Sequence, residues 1–280
     1  MTDRYLGTTV SFLTQHGKES LVAPLLEPAL GCHVIRAEGY DTDNLGTFTG
    51  DIKRPDTQLQ TARMKARIGM ELMGASVGIS SEGAFVPDPF GGLMPWNIEI
   101  VVWQDDVHRL EIVGKAQGPA CNHQALVQNV HELEKFAAAA CFPSHHLTLR
   151  PQSDSDKRIR KGLKDWKTLN EAFHACMQES NNARVFAEND LRAFGNPTRQ
   201  SMIQRATQDL LNKIHSACPA CALPGFSITG HRPGLLCRQC RRATRLPLSH
   251  TWLCHACGHQ IEKPQEVRYA EPDRCDYCNP

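Results

Sequence analysis

The residues best suited to chemistry crowd the end of the chain, where eight of the twelve cysteines follow Ala217. Cys218-x-x-Cys221 is followed after fifteen residues by Cys237-x-x-Cys240, and Cys254-x-x-Cys257 after seventeen by Cys275-x-x-Cys278. A C-x-x-C turn supplies two thiolates, and two such turns complete the tetrahedral set of a structural zinc site with no position left open. Pro219 and Gly258 suit the tight turns this needs. Redox pairs of the thioredoxin kind open a helix within a βαβ pattern, and none of the four repeats does so. Two structural zinc ions are therefore expected. Sequential ribbons, each built from neighbouring C-x-x-C turns, are the expected pairing, and a cross-braced arrangement of alternate turns is the alternative.

A second chemistry lies nearer the start. Thr8 to Thr14 is β-branched and apolar and stops at Gln15-His16-Gly17-Lys18-Glu19, which reads as strand, turn and helix start. Backbone N–H groups and a lysine at a helix N-terminus suit a phosphate. Lys18 is thus a candidate phosphate ligand, with a solvated surface lysine as the alternative. The stretch is not a Walker A loop, which needs a second upstream glycine and Ser or Thr after the lysine. The loop from Glu38 to Asp51 is rich in Asp, Thr and Gly, with Asp43 and Asp51 among its acids. It can supply oxygens to Mg²⁺ or Mn²⁺, or serve as an ordinary capped turn. Glu82 follows a short apolar run in Ser80-Ser81-Glu82-Gly83, where an open α/β sheet binds ligands. Capping of the strand end is its alternative role. His145 and His146 open a strand, so their side chains point to opposite faces and do not share an ion.

These groups must be positioned by regular elements. Leu59, Ala62, Ala66, Met70 and Met73 form one apolar stripe opposite Gln60, Arg63, Lys65 and Arg67, a helix packed on a sheet. Ala75 to Ser80 reads as a buried strand that breaks at Ser80 to Gly83. His33 to Ala37 is a further strand. Ile98 to Trp103 and Val107 to Val113 flank Asp105-Asp106 as a hairpin, and Pro87 to Gly92 is a flap beside the site. Pro24 and Pro28 allow only short helical pieces before Gly31. His123 to Ala140 is expected to be one helix, His145 to Leu149 a strand, Leu169 to Met177 a helix and Val185 to Glu188 a brief strand. Asn196-Pro197 starts a long helix, with Asn as N-cap.

Net charge is +1, with 41% hydrophobic and 22% charged residues, the composition of a soluble globular protein. No apolar run approaches the roughly 18 residues of a membrane span, and the first residues do not form a signal peptide. A cytoplasmic location and no membrane partner are expected. Charge is local instead. Arg150 to Lys167 carries seven basic against three acidic side chains, and Cys218 to Pro280 eight against five. The arginines between the cysteine pairs suit phosphate contact or protein docking.

Two regions together resemble the inosine/xanthosine triphosphate pyrophosphatase superfamily, which also contains the Maf-type pyrophosphatases. Thr14-Gln15-His16-Gly17-Lys18-Glu19 is similar to that family's early threonine, Asn-rich turn and phosphate-binding lysine. Thr61-Ala62-Arg63-Met64-Lys65-Ala66 is similar to its helix that runs into the strand and acidic loop, here Ser81-Glu82-Gly83. Gly114 to Gly118 is similar to the Gly-x-x-x-Gly after its hairpin. The likeness covers about the first 150 residues. It implies Lys18, Glu82 and Asp51 as catalytic residues, Thr14, His16, Asp43 and Ser81 as nucleotide-binding residues, and Mg²⁺ or Mn²⁺ as the catalytic ion. The family's usual metal-binding glutamates fall on Leu59 and Gln60 here, while Gly46-Thr47-Phe48 resembles the triplet that precedes them and passes the role to Asp51. The family's Ser-His-Arg base-recognition motif has no clear counterpart.

The expected architecture is α/β: a mixed-sheet nucleotide-binding domain over residues 1–150, a helical segment over 151–215, and a double zinc ribbon over 216–280. The expected activity is metal-dependent hydrolysis of a nucleoside triphosphate, or a related phosphoanhydride, to monophosphate and pyrophosphate. The alternative is a non-catalytic nucleotide- or nucleic-acid-binding protein. A protein partner at the ribbon and a homodimer are further expectations.

Overall fold

The computed structural model describes residues 3–15, 17–45 and 57–280. They fall into two compact units, one within 3–105 and 113–210, the other within 106–112 and 211–280. Among the described residues no helix is long and apolar enough to cross a membrane.

The chain opens with β1 (Thr9–Leu13), α1 (Glu19–Leu30) and β2 (His33–Ala37), followed by α2 (Gln58–Met73), β3 (Val77–Pro87), β4 (Pro95–Asp105) and β5 (Leu110–Pro119). Their sheet has the order β2-β1-β3-β4-β5. β1 runs parallel to both β2 and β3, and β3 antiparallel to β4. Thr57 caps α2 by accepting from the Gln60 N–H. The expected stripe packs inward: Ala62, Ala66 and Met70 are buried, as are Val10, Phe12 and Ile79 on the strands.

Two expectations for this sheet are corrected. α1 is continuous through Pro24 and Pro28, although each proline leaves a preceding carbonyl without its helical donor. Full burial of Val22 and Leu26 offsets that loss, since each buried aliphatic side chain contributes roughly 1.5–3 kcal/mol. β3 does not break at Ser80 to Gly83 but pairs with β4 without interruption from Val77 to Pro87. Its polar residues are satisfied internally, for example by the Ser80 hydroxyl donating to the Ala62 carbonyl at 2.6 Å. The expected flap after it is a tight turn, in which the Asp88 carboxylate accepts from the N–H groups of Phe90, Gly91 and Met94. The Met94 N–H leads these bonds, and they hold the Asp88 carboxyl down near 2.

A second sheet straddles residue 150. β6 (Gln124–Val127), α3 (Val130–Ala139), β7 (Leu147–Pro151), β8 (Arg160–Leu163), α4 (Trp166–Glu179) and β9 (Val185–Asn189) follow in order. The strands lie as β6-β9-β7-β8, antiparallel throughout. Residues 151–215 are therefore not only helical. The expected helix over 123–140 begins instead at Val130, because the Asn129 side chain caps the Glu132 N–H while Glu132 reaches back to the Gln128 N–H, a reciprocal N-terminal stop. Val127, Leu133, Leu147, Leu149, Leu169 and Phe173 build the core. The arginines of the basic run are paired here: Arg150 with Glu188, Arg158 with Asp156 and Arg160 with Glu179.

α5 (Pro197–His215) starts as expected, with Asn196 Oδ1 accepting from the Arg199 N–H at 3.0 Å. The tail adds β10 (Ser227–Pro233), β11 (Pro247–Leu253) and β12 (Gln260–Pro264) as one antiparallel sheet.

Candidate functional site

Lys18 immediately precedes α1, and its side chain is buried. Its Nζ donates to the Ser81 carbonyl at 3.0 Å and lies 3.3 Å from Ser81 Oγ. The register explains why that carbonyl is available. β1 pairs with β3 only as far as Ile79, so from Ser80 onward β3 has no β1 neighbour, and the ammonium takes up the edge. Burial, and next the positive charge of Arg199, bring the Lys18 ammonium down to about 7, against the opposing pull of Glu82 and Glu99.

Two ion pairs flank this lysine. Successive strand residues face opposite sides of a sheet, so Ser81 and Gly83 turn one way and Glu82 the other. On the α2 side, Lys65 donates to Glu82 Oε1, while Gln58 Nε2 donates to the carbonyls of Glu82 and Ile98 at 2.8 and 2.9 Å. On the other side Glu99, opposite Gly83 in the register, accepts from Arg199 Nε at 2.7 Å, with both side chains essentially inaccessible. A Cβ at Gly83 would come within 2.2 Å of Glu99 Oε1 and 2.7 Å of Arg199 Nη2. Glycine makes the room this pair occupies. Arg199 Nη1 also donates to the Leu191 carbonyl at 2.7 Å, and Asn97 Nδ2 to Glu99 Oε1 at 3.2 Å.

The structure thus brings together Lys18, Ser81 and Glu82 of the expected residues. Glu82 lies inside a strand rather than in a loop. Thr14 follows β1 directly and is buried, its hydroxyl without a hydrogen-bond partner among the described residues. Asp43 falls in the short helical turn Thr42–Leu45. Asp51 and His16 lie outside the described residues, as does Gly46-Thr47-Phe48. Lys65, Glu99 and Arg199 were not expected in the site. Glu99 had a signal, a lone carboxylate inside the apolar run Ile98 to Trp103, whereas Arg199 in the first turn of a long helix had none.

Mg²⁺ and Mn²⁺ take carboxylate oxygens in near-octahedral sets that include water. Glu82 on β3 and Glu99 on β4 face opposite sides of the sheet, each bound to its own cation, and among the described residues no group of three ligand atoms gathers there. Among the described residues, Glu82 and Glu99 by themselves do not fit either ion.

The tail is a different kind of site. Cys218, Cys221, Cys254 and Cys257 form one cluster, and Cys237, Cys240, Cys275 and Cys278 the other. The pairing is cross-braced, not sequential. Antiparallel pairing of β10, β11 and β12 brings the first C-x-x-C turn to the third, where the Cys254 N–H donates to the His259 carbonyl and the Cys218 N–H to the Leu223 carbonyl. Cys237 sits beside Ala270 in an isolated bridge that draws in the fourth turn. The Sγ atoms stand 3.7 Å apart for Cys218 and Cys257 and for Cys221 and Cys254, 3.8 Å for Cys237 and Cys278, and 3.5 Å for Cys240 and Cys275. A tetrahedron with Zn–S bonds of 2.3 Å has edges of about 3.8 Å. The fit to zinc is therefore geometric as well as chemical. Without a cation the thiols oppose one another. Cys237 is held down to about 7, chiefly by the Cys240 N–H, while Cys278 is pushed up to about 12, first by its bond to Cys240. Four thiolates at these distances need a dication between them.

Most of the tail's arginines are engaged within it. Arg232 pairs with Glu262, Arg238 with Glu271 and Arg245 with Asp276. Arg241 lies 4.2 Å over the Tyr269 ring and Arg242 4.1 Å over Tyr277.

A family model described as a domain of unknown function, DUF6671, matches residues 65–280, and the chain belongs to that family. The match takes in Lys65, Glu82, Glu99, Arg199 and every tail cysteine, and begins after Lys18. No curated protein matches the chain.

Proposed function

We propose that the α/β unit of this DUF6671 protein binds the phosphate end of a nucleotide, with Lys18 as the group that meets the anion. One observation supports this reading above the others: among the described residues, the buried Lys18 has two further cations, Lys65 and Arg199, and the carboxylates Glu82 and Glu99 as its charged neighbours. An uncompensated buried cation is costly, and a phosphate oxygen supplies the missing negative charge. The place agrees, since the set lies past the carboxyl end of parallel β1, where open sheets take ligands, and the N-terminus of α1 adds a partial positive charge. The tail's zinc ions are structural in this reading, because four thiolates leave no position for a substrate.

A second reading is hydrolysis of a nucleoside triphosphate to monophosphate and pyrophosphate. It is favoured by a lysine that titrates at about 7, where a side chain both gives and accepts protons. One experiment separates the two. Purified full-length protein is titrated calorimetrically with nucleoside mono-, di- and triphosphates, and the same mixtures, with Mg²⁺ or Mn²⁺ added, are assayed for released phosphate and pyrophosphate. Binding without release supports the binding protein. Release that is lost in Lys18→Met supports the hydrolase. No binding of any nucleotide overturns both.

A further inference from the structure

Outside both sites, three metal-ligating side chains meet. Cys121 follows β5, Cys141 follows α3 and His145 precedes β7, yet their ligand atoms all lie within 4.8 Å of one another. We propose that Cys121, Cys141 and His145 form a third zinc site, with two thiolates and one imidazole from the protein and a fourth position open to water or a small ligand.

The surroundings suit a metal. Each ring nitrogen of His145 has a hydroxyl beside it, Nδ1 with Ser144 Oγ at 3.2 Å and Nε2 with Thr198 Oγ1 at 2.9 Å. Whichever nitrogen takes the ion, the other keeps a partner that fixes the ring, as ligating histidines require. His146 does not compete. Its ring lies against Gly195 and Phe194, away from the sulfurs. Cys141 sits at a φ of 58°, a backbone conformation that a non-glycine residue adopts only where its surroundings hold it. It is held by the Phe142 N–H donating to the Ala137 carbonyl and the His145 N–H donating to the Cys141 carbonyl. The Cys121 thiol donates to the Ala140 carbonyl at 3.5 Å and to Asn189 Oδ1 at 3.7 Å. Both are weak enough to give way to a metal bond.

Three protein ligands plus one open position is the pattern of reactive rather than structural zinc. Softness selects the metal: two sulfurs and an imidazole favour Zn²⁺, with Co²⁺ and Cd²⁺ as substitutes, over oxygen-seeking Mg²⁺ or Ca²⁺.

The test is metal stoichiometry on the full chain. Reduced protein is saturated with Zn²⁺, freed of excess and analysed for metal and protein. Wild type should hold three ions. Cys141→Ser, at an exposed position, should hold two, with an unchanged melting profile for the tail. Cys121→Ser should also hold two, as a second variant. In Co²⁺-loaded protein, either change should remove about a fifth of the thiolate charge-transfer absorption, the share of two thiolates in ten. Two ions in the wild type, or three in both variants, would overturn the proposal. So would loss of two titratable thiols to a Cys121–Cys141 disulfide in metal-free, denatured wild type.

Discussion

The Lys18 ammonium donates to the main-chain oxygen of Ser81 at 3.0 Å, on the part of β3 that β1 does not reach. A strand edge left unpaired inside a fold normally needs a backbone partner. Here a side-chain cation supplies it, and the same cation stands between the Lys65–Glu82 and Arg199–Glu99 pairs. This shared duty makes the lysine both a structural tie and a charge in search of a counter-ion.

The lysine sets a pH dependence with a definite sign. Burial lowers its folded value to about 7 from an ordinary 10.5, so between those values the unfolded chain binds more protons and stability rises with pH. Below about 7 the full cost of the buried charge is present. Denaturant titrations across this range should show wild-type stability climbing relative to Lys18→Met. A constant difference between the two proteins would show that Lys18 keeps its ordinary value.

Breaking the buried pair of Glu99 and Arg199 should cost far more than a surface pair. Arg199→Met leaves the Glu99 carboxylate buried without its cation, a loss of about 3–5 kcal/mol, measurable by urea unfolding. Adding Glu99→Gln should restore part of it. A loss below about 1 kcal/mol would place the pair among weak surface bridges.

Gly114→Ala tests the packing of α5 on β5. A Cβ there would lie 2.2 Å from the Ala206 carbonyl oxygen and 2.6 Å from the Leu210 nitrogen. Helix backbone cannot step aside as a side chain does, so the loss should reach the upper end of about 1–3 kcal/mol. An unchanged melting temperature would mean that the helix and strand stand further apart.

Cross-bracing is tested by pairs of substitutions. Cys218→Ser with Cys254→Ser damages one cluster only, so one tail zinc should remain. Cys218→Ser with Cys275→Ser damages both, and both should be lost. Sequential ribbons give the same result for the two pairs, because each pair would then strike both ribbons. Chelation of wild type should unfold the tail sheet, whose folding free energy is largely that of metal binding.

Much of the first sheet was legible because its signals are local. Val10 to Leu13 is buried on both faces, and the stripe from Leu59 to Met73 has helical spacing. Polar runs misled where their partners lie far along the chain. Ser80 and Glu82 looked like a strand end until Ala62 and Lys65 were placed beside them. Pairing among identical C-x-x-C turns was open for the same reason: spacing states that four sulfurs meet, and only the sheet decides which. Arg199 was hidden because its partner Glu99 is a hundred residues away.

The central claim is that Lys18 meets a phosphate as an ammonium. Its most direct test is the affinity of the full chain for a nucleoside triphosphate, measured from about pH 6 to about pH 9, across the folded value of the lysine. The account predicts binding that weakens as pH rises above about 7, together with weak, pH-insensitive binding in Lys18→Met. Equal affinity in the two proteins at every pH would contradict it.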